Sequence, residues 1–212
     1  MKDEVNKMPI NDFHGDFFFL SNFFEHPFWY NGLRWKTVEH AFQAAKCLNY
    51  SDFNQVHQVA TPGEAKRIGR KVTLIPMWDY KRVNVMRDCL RMKFLQNDDL
   101  MQKLLDTGDE VLVEGNTWHD NDWGDCSCDK CSNKHGSNML GQLLMELRDN
   151  YRKGNFIWVA RDLHNGGEIV EYYKTRERAL AMIEHEYERH GERIDNPYEC
   201  NGYRLDVVCM KD

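Results

Sequence analysis

Three polar side chains recur along a short predicted helix at a spacing that lets them act on one substrate. In residues 37–46, Glu39, Gln43 and Lys46 stand at i, i+4 and i+7, so they project from one helix face. Thr37 can cap this helix, because its hydroxyl accepts a hydrogen bond from a free amide of the first turn. A carboxylate, an amide and an amine together can form a reactive site. The alternative interpretation is a solvated helix face that carries a Glu–Lys pair.

The rest of the chain up to residue 154 predicts a mostly helical domain around this helix. Thr61, Pro62 and Glu64 carry the signature of a capping box, which starts a further helix. Helices are predicted over 38–48, 62–70, 78–96, 98–108 and 137–151, short strands over 17–20 and 110–114, and a turn at 31–32. In the first helix, the face opposite the polar stripe is predicted to be core: Val38, Ala41, Phe42, Ala45 and Leu48.

The character of the sequence changes after Gly154. Residues 156–160 and 168–173 predict two strands joined by a loop that contains Asn165-Gly-Gly. An amphipathic helix over 176–190 and a last strand over 203–209 follow. The chain therefore predicts an α+β protein with two parts: residues 1–154 as the main domain and 155–212 as a small accessory ββαβ unit of unknown role.

Composition excludes some classes of protein. The 212 residues carry a formal net charge of −6, so the whole molecule offers no basic field for a nucleic-acid backbone. The N-terminal residues show no apolar segment typical of an export signal, and no apolar run approaches the length of a membrane span. We therefore expect a cytoplasmic protein without a membrane partner.

Several predicted loops combine aromatic and polar groups, which suits a nucleotide-like ligand. Aromatic rings can sandwich a flat heterocycle, whereas Ser and Asn side chains can hold sugar hydroxyls. The amides of residues 136–138, which lead into a helix, are suited to a phosphate. Each group also has a structural alternative, since a single Trp is more often part of a core. The segments are Ser21-Asn22-Phe23, Trp78 with Arg82, residues 120–124 and residues 136–138.

Ordered blocks of the sequence resemble the NADAR (YbiA-like) family over roughly residues 13–152. The blocks include residues 19–23, 37–46 and 64–69, Asp122-Trp-Gly, and residues 136–141. The resemblance implies a mostly helical α+β fold and hydrolysis of N-glycosidic bonds. It also implies substrates of two kinds: phosphorylated ribosyl-pyrimidines of riboflavin synthesis, or ADP-ribose attached to guanine in nucleic acid.

Cleavage of a C1′–N bond develops oxocarbenium character on the ribose, which a nearby carboxylate stabilises. Glu39 and Asp122 are the candidates for this role and for activating water. Lys46 is the third candidate catalytic residue, because a desolvated amine can attack C1′ and form a covalent intermediate. Resemblance supports a mechanistic role at the position of Lys46. The predicted substrate-binding residues are Ser21, Asn22, Phe23, Gln43, Trp78, Trp123, Gly124 and Asn138.

The alternative function is a catalytically silent module that binds ADP-ribose or another nucleotide. A pure binding module has little need for Lys46, so the retention of Glu39, Lys46 and Asp122 together favours an enzyme. A nucleic-acid adaptor stabilised by zinc is a third interpretation. It requires lysines and arginines to gather on one face despite the net negative charge.

A cluster of three cysteines follows the predicted site. Cys126, Cys128 and Cys131 offer three thiolates, and either His119 or His135 can complete a tetrahedral zinc site. The alternative is three reduced thiols in a hydrophilic loop. No cofactor is expected to be required for catalysis. If zinc binds, the closed thiolate shell favours a role in holding the loop after Asp122 over the activation of water.

Overall fold

A central helix, α1 (Val38–Ala45), organises the larger part of the fold. The structure is a computed structural model that describes residues 9–131, 133–190, 196–200 and 202–210. Helix α1 packs against three helices, namely α2 (Tyr50–Gln58), α3 (Pro62–Gly69) and α4 (Trp78–Leu95). Residues 38–44 of α1 are all buried, so its polar side chains also lie inside the protein.

Local sequence signals set the ends of these helices. Thr37 caps α1, because its hydroxyl accepts a hydrogen bond from the amide of His40 at 3.3 Å. Thr61 and Glu64 form the predicted capping box at the start of α3. Helix α2 was not predicted from the sequence. Asn49 caps it by accepting a bond from the amide of Asp52 at 2.9 Å.

Two further helices complete the core of the main domain. Helices α5 (Asp98–Asp106) and α6 (Met139–Arg152) pack against α4 and against each other. The buried Arg148 of α6 donates hydrogen bonds to the Thr107 hydroxyl at 2.7 Å and to the Glu110 carbonyl at 3.0 Å. These bonds hold the chain that leaves α5 against α6.

Strands of the main domain are short. Strands β1 (Phe28–Tyr30) and β2 (Leu33–Trp35) form a hairpin. Its turn lies at the predicted Asn31 and Gly32, whose φ angles of 50° and 75° suit these two residue types. A parallel pair, β3 (Gly115–Asn116) and β4 (Asp125–Cys126), joins two loops.

The C-terminal unit is a four-stranded antiparallel sheet with one helix. It contains β5 (Phe156–Asp162), β6 (Glu168–Tyr173), α7 (Arg176–His190), β7 (Glu199–Cys200) and β8 (Tyr203–Cys209) in the sheet order β6-β5-β8-β7. The predicted α+β class is confirmed, and the two-residue strand β7 is an addition to the predicted ββαβ order. Arg176 joins the unit to the main domain by a hydrogen bond to the Gln96 carbonyl at 2.9 Å and an ion pair with Asp98.

The predicted strand over 17–20 is wrong, because these residues belong to a 3₁₀ helix, Gly15–Leu20. Gly15 has a φ of 53°, which turns the chain directly into a tight helical turn. Only Phe19 and Leu20 are buried, while Phe17 and Phe18 lie near the surface. The apolar run therefore covers the core from one side.

The predicted strand over 110–114 is also wrong. Its only pairing among the described residues is a single bridge between Leu112 and Ile10. The side chain of Asn138 takes the place of a partner strand. It donates to the Leu112 carbonyl at 2.8 Å and accepts from the Glu114 amide at 3.0 Å.

Helix α1 ends earlier than predicted. Lys46 is its C-cap, and the chain then turns toward residues 73–75 through a hydrogen bond from the Ile75 amide to the Lys46 carbonyl at 2.9 Å. Leu48 is 56% exposed and is therefore not part of the core.

In the part of the chain that the structure describes, no helix is both long and apolar enough to cross a membrane.

A fully buried lysine stabilises the loop that precedes α1. Lys93 of α4 donates hydrogen bonds to the carbonyls of Phe19 at 2.8 Å and Ser21 at 3.1 Å. Burial lowers the pKa of Lys93 to about 7. The rings of Phe24 and Phe94 lie 5.5 and 5.1 Å from its ammonium group and favour the charged form.

We expect Lys93→Met to destabilise the fold by about 2–4 kcal/mol, because it leaves two buried carbonyls without a donor. Lys103 provides the matched control, because it is exposed but also lies close to Phe19, with its ammonium group 5.9 Å from the centre of that ring. Lys103→Met should change the free energy of unfolding by less than about 0.5 kcal/mol. Urea denaturation of both variants measures the difference, and equal stabilities would contradict the role assigned to Lys93.

Candidate functional site

A cavity of about 560 Å³ lies between α1, α3, the start of α4 and the loops at residues 21–23 and 114–123. Its volume is in the range of pockets that hold small molecules. Nine of the residues predicted from the sequence line it: Ser21, Asn22, Phe23, Glu39, Gln43, Lys46, Trp78, Asp122 and Trp123. A second cavity of about 660 Å³ adjoins it and shares His14 and Trp118, but its lining contains none of the three predicted catalytic residues.

Glu39 is a buried carboxylate at the floor of this cavity, with 4% of its surface exposed. Burial raises the pKa of Glu39 above its usual value, and the charges of Lys66 and Lys46 and a hydrogen bond from Gln43 offset only part of this rise. The Gln43 Nε2 donates this bond to Glu39 Oε1 at 2.8 Å. The two lysines and Gln43 therefore favour the ionised form of Glu39, whereas its burial favours the protonated form.

Gln43 is held in place by the close approach of α3. Its Oε1 is buried and has no hydrogen-bond partner among the described residues. A Cβ atom at Gly69 would overlap this oxygen and would lie 2.8 Å from the Gln43 Cδ. Glycine at position 69 therefore leaves the space in which Gln43 can reach Glu39.

Lys46 lies at the end of the same face, where it is half-buried. Burial lowers the pKa of Lys46, while the charge of Glu39 raises it. A lower pKa increases the fraction of the neutral amine, which is the nucleophilic form. The predicted stripe of Glu39, Gln43 and Lys46 is a wall of the cavity, so the interpretation as a solvated face is wrong.

Glu114 is a second carboxyl in the cavity that the sequence reasoning did not select. Burial and the charge of Asp120 raise its pKa to about 7, while the charge of Lys66 lowers it. Its Oε2 is buried without a hydrogen-bond partner among the described residues. Glu114 is among the residues that resemble the family, but its alternating run predicts a strand, and its position depends on the distant Asn138.

Lys66 of α3 was also missed. It is close enough to both buried carboxyls to lower their pKa values, and its ammonium lies 5.5 Å from the centre of the Phe23 ring. The sequence offered one signal: Lys66 lies in the block of residues 64–69. The capping box in that block indicates a helix but not which of its residues faces the cavity.

Aromatic rings form one wall. The Phe42 ring lies 5.2 Å from the Trp78 ring and 5.3 Å from the Trp123 ring, in tilted and edge-to-face arrangements. Phe42, predicted as core, therefore also lines the cavity. Trp78 is 8% exposed, so it packs in the core and presents one part of its ring to the cavity.

Asp122 lies at the rim of the cavity. Both of its carboxylate oxygens pair with the guanidinium of Arg82, with a distance of 3.2 Å between Nη2 and Oδ1. Arg82 in turn lies 5.4 Å from the Trp123 ring. Half of the Asp122 side chain is exposed, in contrast to Glu39. The geometry suits Asp122 to support the aromatic wall more than to contact a buried reaction centre.

The loop at residues 21–23 presents polar groups to the cavity. The Asn22 carbonyl accepts a hydrogen bond from the Glu39 amide at 3.0 Å, and the Phe23 amide donates to the Ser21 hydroxyl at 3.2 Å. The side-chain oxygen of Asn22 is buried and has no partner among the described residues. It is therefore available to a hydroxyl or amine of a ligand.

Gly124 and Asn138 lie outside the cavity lining. Asn138 bonds to the backbone at Leu112 and Glu114, and its own amide donates to the Gly124 carbonyl at 3.1 Å. The amides of Gly136 and Ser137 are likewise taken, by Asp125 at 2.7 Å and the Asn121 carbonyl at 2.7 Å. The predicted phosphate site at residues 136–138 is therefore wrong, because these amides hold the loop.

The cysteine cluster lies beside the cavity. The structure brings His119 together with Cys126, Cys128 and Cys131, with one possible ligand atom of each lying within 4.8 Å of all the others. His135, the alternative fourth ligand, is not part of this group. Such a set of side chains is suited to hold one metal ion.

The protein is of the α+β class, and its cavity holds one buried and one partly buried carboxyl group and two lysines beside an aromatic wall. The family model of the NADAR domain matches residues 10–152. The chain belongs to the NADAR family, as the resemblance predicted. The C-terminal unit lies outside the match.

Relatives that match a large part of the chain carry two kinds of name. An N-glycosidase of Nostoc punctiforme is 40% identical over 138 residues, which are 63% of this chain and 85% of the relative. The N-glycosidase YbiA of Escherichia coli is 40% identical over 147 residues, or 68% and 86% of the two chains. A riboflavin biosynthesis protein of Vibrio vulnificus is 33% identical over 156 residues, or 70% of this chain and 40% of that protein.

A solved structure is similar as well. The NMR structure of E. coli YbiA matches with a TM-score of 0.61 and 36% sequence identity, and the match covers 70% of this chain and 88% of that one. The comparison of structures and the comparison of sequences therefore both show similarity to E. coli YbiA.

We expect Gly69→Ala to lower the activity by about tenfold to a hundredfold, because a methyl group at this position displaces Gln43 from Glu39. Gly63 of the same helix is the control, since a Cβ there meets nothing within 4 Å. Gly63→Ala should keep full activity and add about 0.5–1 kcal/mol of stability. Steady-state kinetics and thermal unfolding of both variants test this. Full activity of Gly69→Ala would show that the space left by Gly69 is not needed to place Gln43 against Glu39.

Proposed function

We propose that this protein is an N-glycosidase that hydrolyses the C1′–N bond of a ribosylated or ADP-ribosylated base. The observation that carries the proposal is a pair of carboxyl groups, the buried Glu39 and the partly buried Glu114, beside Lys46 and Lys66 in one cavity. Membership of the NADAR family and the names of its relatives support the reaction class.

The two carboxyl groups suit different roles. Glu39 lies in the first turn of α1, where the helix dipole and the two lysines oppose the rise that burial causes in its pKa and so favour its ionised form. As a carboxylate it stabilises the positive charge that develops on the ribose and orients water. Glu114 has a pKa raised to about 7, so it is suited to donate a proton to the departing base nitrogen.

Lys46 adds a covalent route. Its neutral amine attacks C1′, the C1′–N bond to the base breaks, and the electron pair leaves with the base, which receives its proton from Glu114. The attacking amine passes a proton to the Glu39 carboxylate. Water then adds to C1′, the bond between C1′ and the Lys46 nitrogen breaks, and that nitrogen takes up a proton from the water, which regenerates the amine. Proton exchange with solvent restores both carboxyl groups. The lowered pKa of Lys46 supports this role.

The remaining lining suits a nucleotide. Trp78 and Trp123 offer aromatic surface for the base or the ribose, with Phe23 at the opposite loop. Ser21 and the unpartnered oxygen of Asn22 offer contacts for hydroxyl groups, and Gln43 orients Glu39. In this assignment Asp122 supports Arg82 and Trp123 at the rim.

The substrate class is a phosphoribosyl-pyrimidine or an ADP-ribosylated base. One relative is named a riboflavin biosynthesis protein, which supports the first class. The acidic balance of the chain also favours a free small molecule over a nucleic acid. The second candidate function is a silent nucleotide-binding module.

Incubation with phosphoribosyl-pyrimidines and, separately, with ADP-ribosylated DNA tests the proposal by following release of the free base or sugar. We expect Glu39→Gln to lower kcat by about 10²- to 10⁴-fold. Asp122→Asn should lower it by about fivefold or less, since a partly exposed ion pair contributes little.

Lys46→Ala is the test of the covalent route, which full activity of this variant would exclude. Tight ADP-ribose binding without turnover of either substrate would instead favour the silent module.

We expect the rate of the wild-type protein to fall as pH rises through about 7, because Glu114 then loses the proton that it donates. Glu114→Gln should abolish most of the activity, and the remaining rate should no longer fall as pH rises through about 7. A raised carboxyl pKa means that the ionised form is destabilised in the folded state. Stability contributed by the protonated form is therefore lost as pH rises from the unfolded value through about 7.

Glu114→Gln avoids this cost and should be more stable than the wild type at pH 8. Chemical denaturation at pH 8, together with the pH profile, checks both expectations. A Glu114→Gln variant that is less stable at pH 8 and whose rate still falls as pH rises through about 7 would contradict the role of Glu114 as proton donor.

A further inference from the structure

The segment that forms the outer wall of the cavity has little regular secondary structure to hold it. Trp118, Asp120, Asp122 and Trp123 all line the cavity, and they lie between the two-residue strands β3 and β4. A segment of this kind loses much conformational entropy when it becomes ordered. Hydrogen bonds hold part of it, such as those from the Trp123 amide to Asp120 Oδ1 at 2.9 Å and from the Leu140 amide to the Trp123 carbonyl at 3.0 Å.

Four potential metal ligands lie along and just after this segment. The Nδ1 atom of His119 lies 3.1 Å from the Cys128 Sγ and 3.4 Å from the Cys131 Sγ. The ligand atoms of His119, Cys126, Cys128 and Cys131 are all within 4.8 Å of one another. A tetrahedral zinc ion with ordinary bond lengths requires its ligands to be about 3.5–3.8 Å apart. The four side chains thus converge to nearly the separation that one ion needs.

The surroundings of the sulfur atoms suit thiolates. The His119 amide donates a hydrogen bond to Cys126 Sγ at 3.3 Å, and Asn121 Nδ2 donates to Cys131 Sγ at 3.2 Å. Asn121 also accepts from the Cys126 amide at 2.9 Å, so one side chain links two of the sulfur ligands. Polar groups that orient the ligands in this way are a regular feature of metal sites.

The backbone of His119 adds an independent indication. Its φ angle is 68°, a left-handed conformation that is uncommon for residues other than glycine. Such a conformation costs free energy and persists where the surrounding structure compensates for it. Here it accompanies a ring whose Nδ1 points at two sulfur atoms.

We propose that His119, Cys126, Cys128 and Cys131 bind one structural zinc ion that holds the outer wall of the cavity. Three sulfur ligands and one nitrogen in a tetrahedral arrangement favour zinc over magnesium or calcium, which prefer oxygen ligands. All four positions are taken by protein atoms, so the ion activates no water. Its role in catalysis, which rests on the proposed function, is to fix Asp120, Asp122 and Trp123.

Metal analysis of the full chain, purified under reducing conditions, tests the proposal directly. We expect one equivalent of zinc per chain. After removal of zinc with a chelator, added Co²⁺ should give the thiolate charge-transfer bands and the intense visible bands of a tetrahedral cobalt site. Absence of both zinc and a cobalt spectrum with the thiols reduced would overturn the proposal.

Variants identify the ligands. Cys128→Ser and His119→Ala should lower zinc affinity by at least tenfold, as measured by competition with a chromogenic chelator. Cys209→Ala, which changes a buried cysteine in β8, and His135→Ala are the controls and should retain one equivalent. Unchanged affinity in Cys128→Ser would show that the cluster is not the site.

Activity is a separate measurement. If the wild-type protein binds zinc but cleaves neither substrate, the metal site stands and the proposed N-glycosidase function fails. If it cleaves a substrate, removal of zinc should raise KM and lower kcat, and added zinc should restore both. Full activity of the metal-free protein would overturn the role of the ion in fixing the wall.

Discussion

The burial of the Glu39 carboxylate in the first turn of α1 is the constraint on which the rest of the site depends. Helix α1 is enclosed by α2, α3 and α4, so an ionised group on it must be stabilised from within the protein. Two of the compensating contacts depend on one neighbouring helix. Helix α3 supplies the charge of Lys66, and its Gly69 leaves room for Gln43. The close packing of α1 and α3 is therefore as much an electrostatic requirement as a hydrophobic one.

The fully buried Lys93 supports the same site through the loop that precedes α1. Lys93 holds the carbonyls of Phe19 and Ser21, and the next residue, Asn22, accepts a hydrogen bond from the Glu39 amide. The loop is thus fixed at one end by Lys93 and at the other by the helix that carries Glu39. Because both anchors are buried, the position of Asn22 is determined before any ligand binds.

Sequence reasoning succeeded where the determining interactions are local. The caps at Thr37 and Thr61, the Asn31–Gly32 turn and the spacing of Glu39, Gln43 and Lys46 each depend on contacts within a few residues.

It failed where distant residues decide. The side chain of Asn138 forms hydrogen bonds with the backbone of Leu112 and Glu114, so the predicted strand is an irregular segment. Glu114, at the end of this segment, lines the cavity. Arg82, 40 residues away in sequence, keeps Asp122 at the rim.

The two sides of the cavity differ in the forces that hold them. Packed helices fix Glu39, Gln43 and Lys46, whereas polar bridges and the proposed metal hold the segment from Trp118 to Trp123. A packed core tolerates few changes in volume, while a loop between fixed points can change its side chains at little cost to stability. In the proposed function, selectivity among bases is therefore expected to reside in the outer segment. Bond cleavage is assigned to Glu39 and Lys46 on the helical side and to Glu114, which lies just before the outer segment.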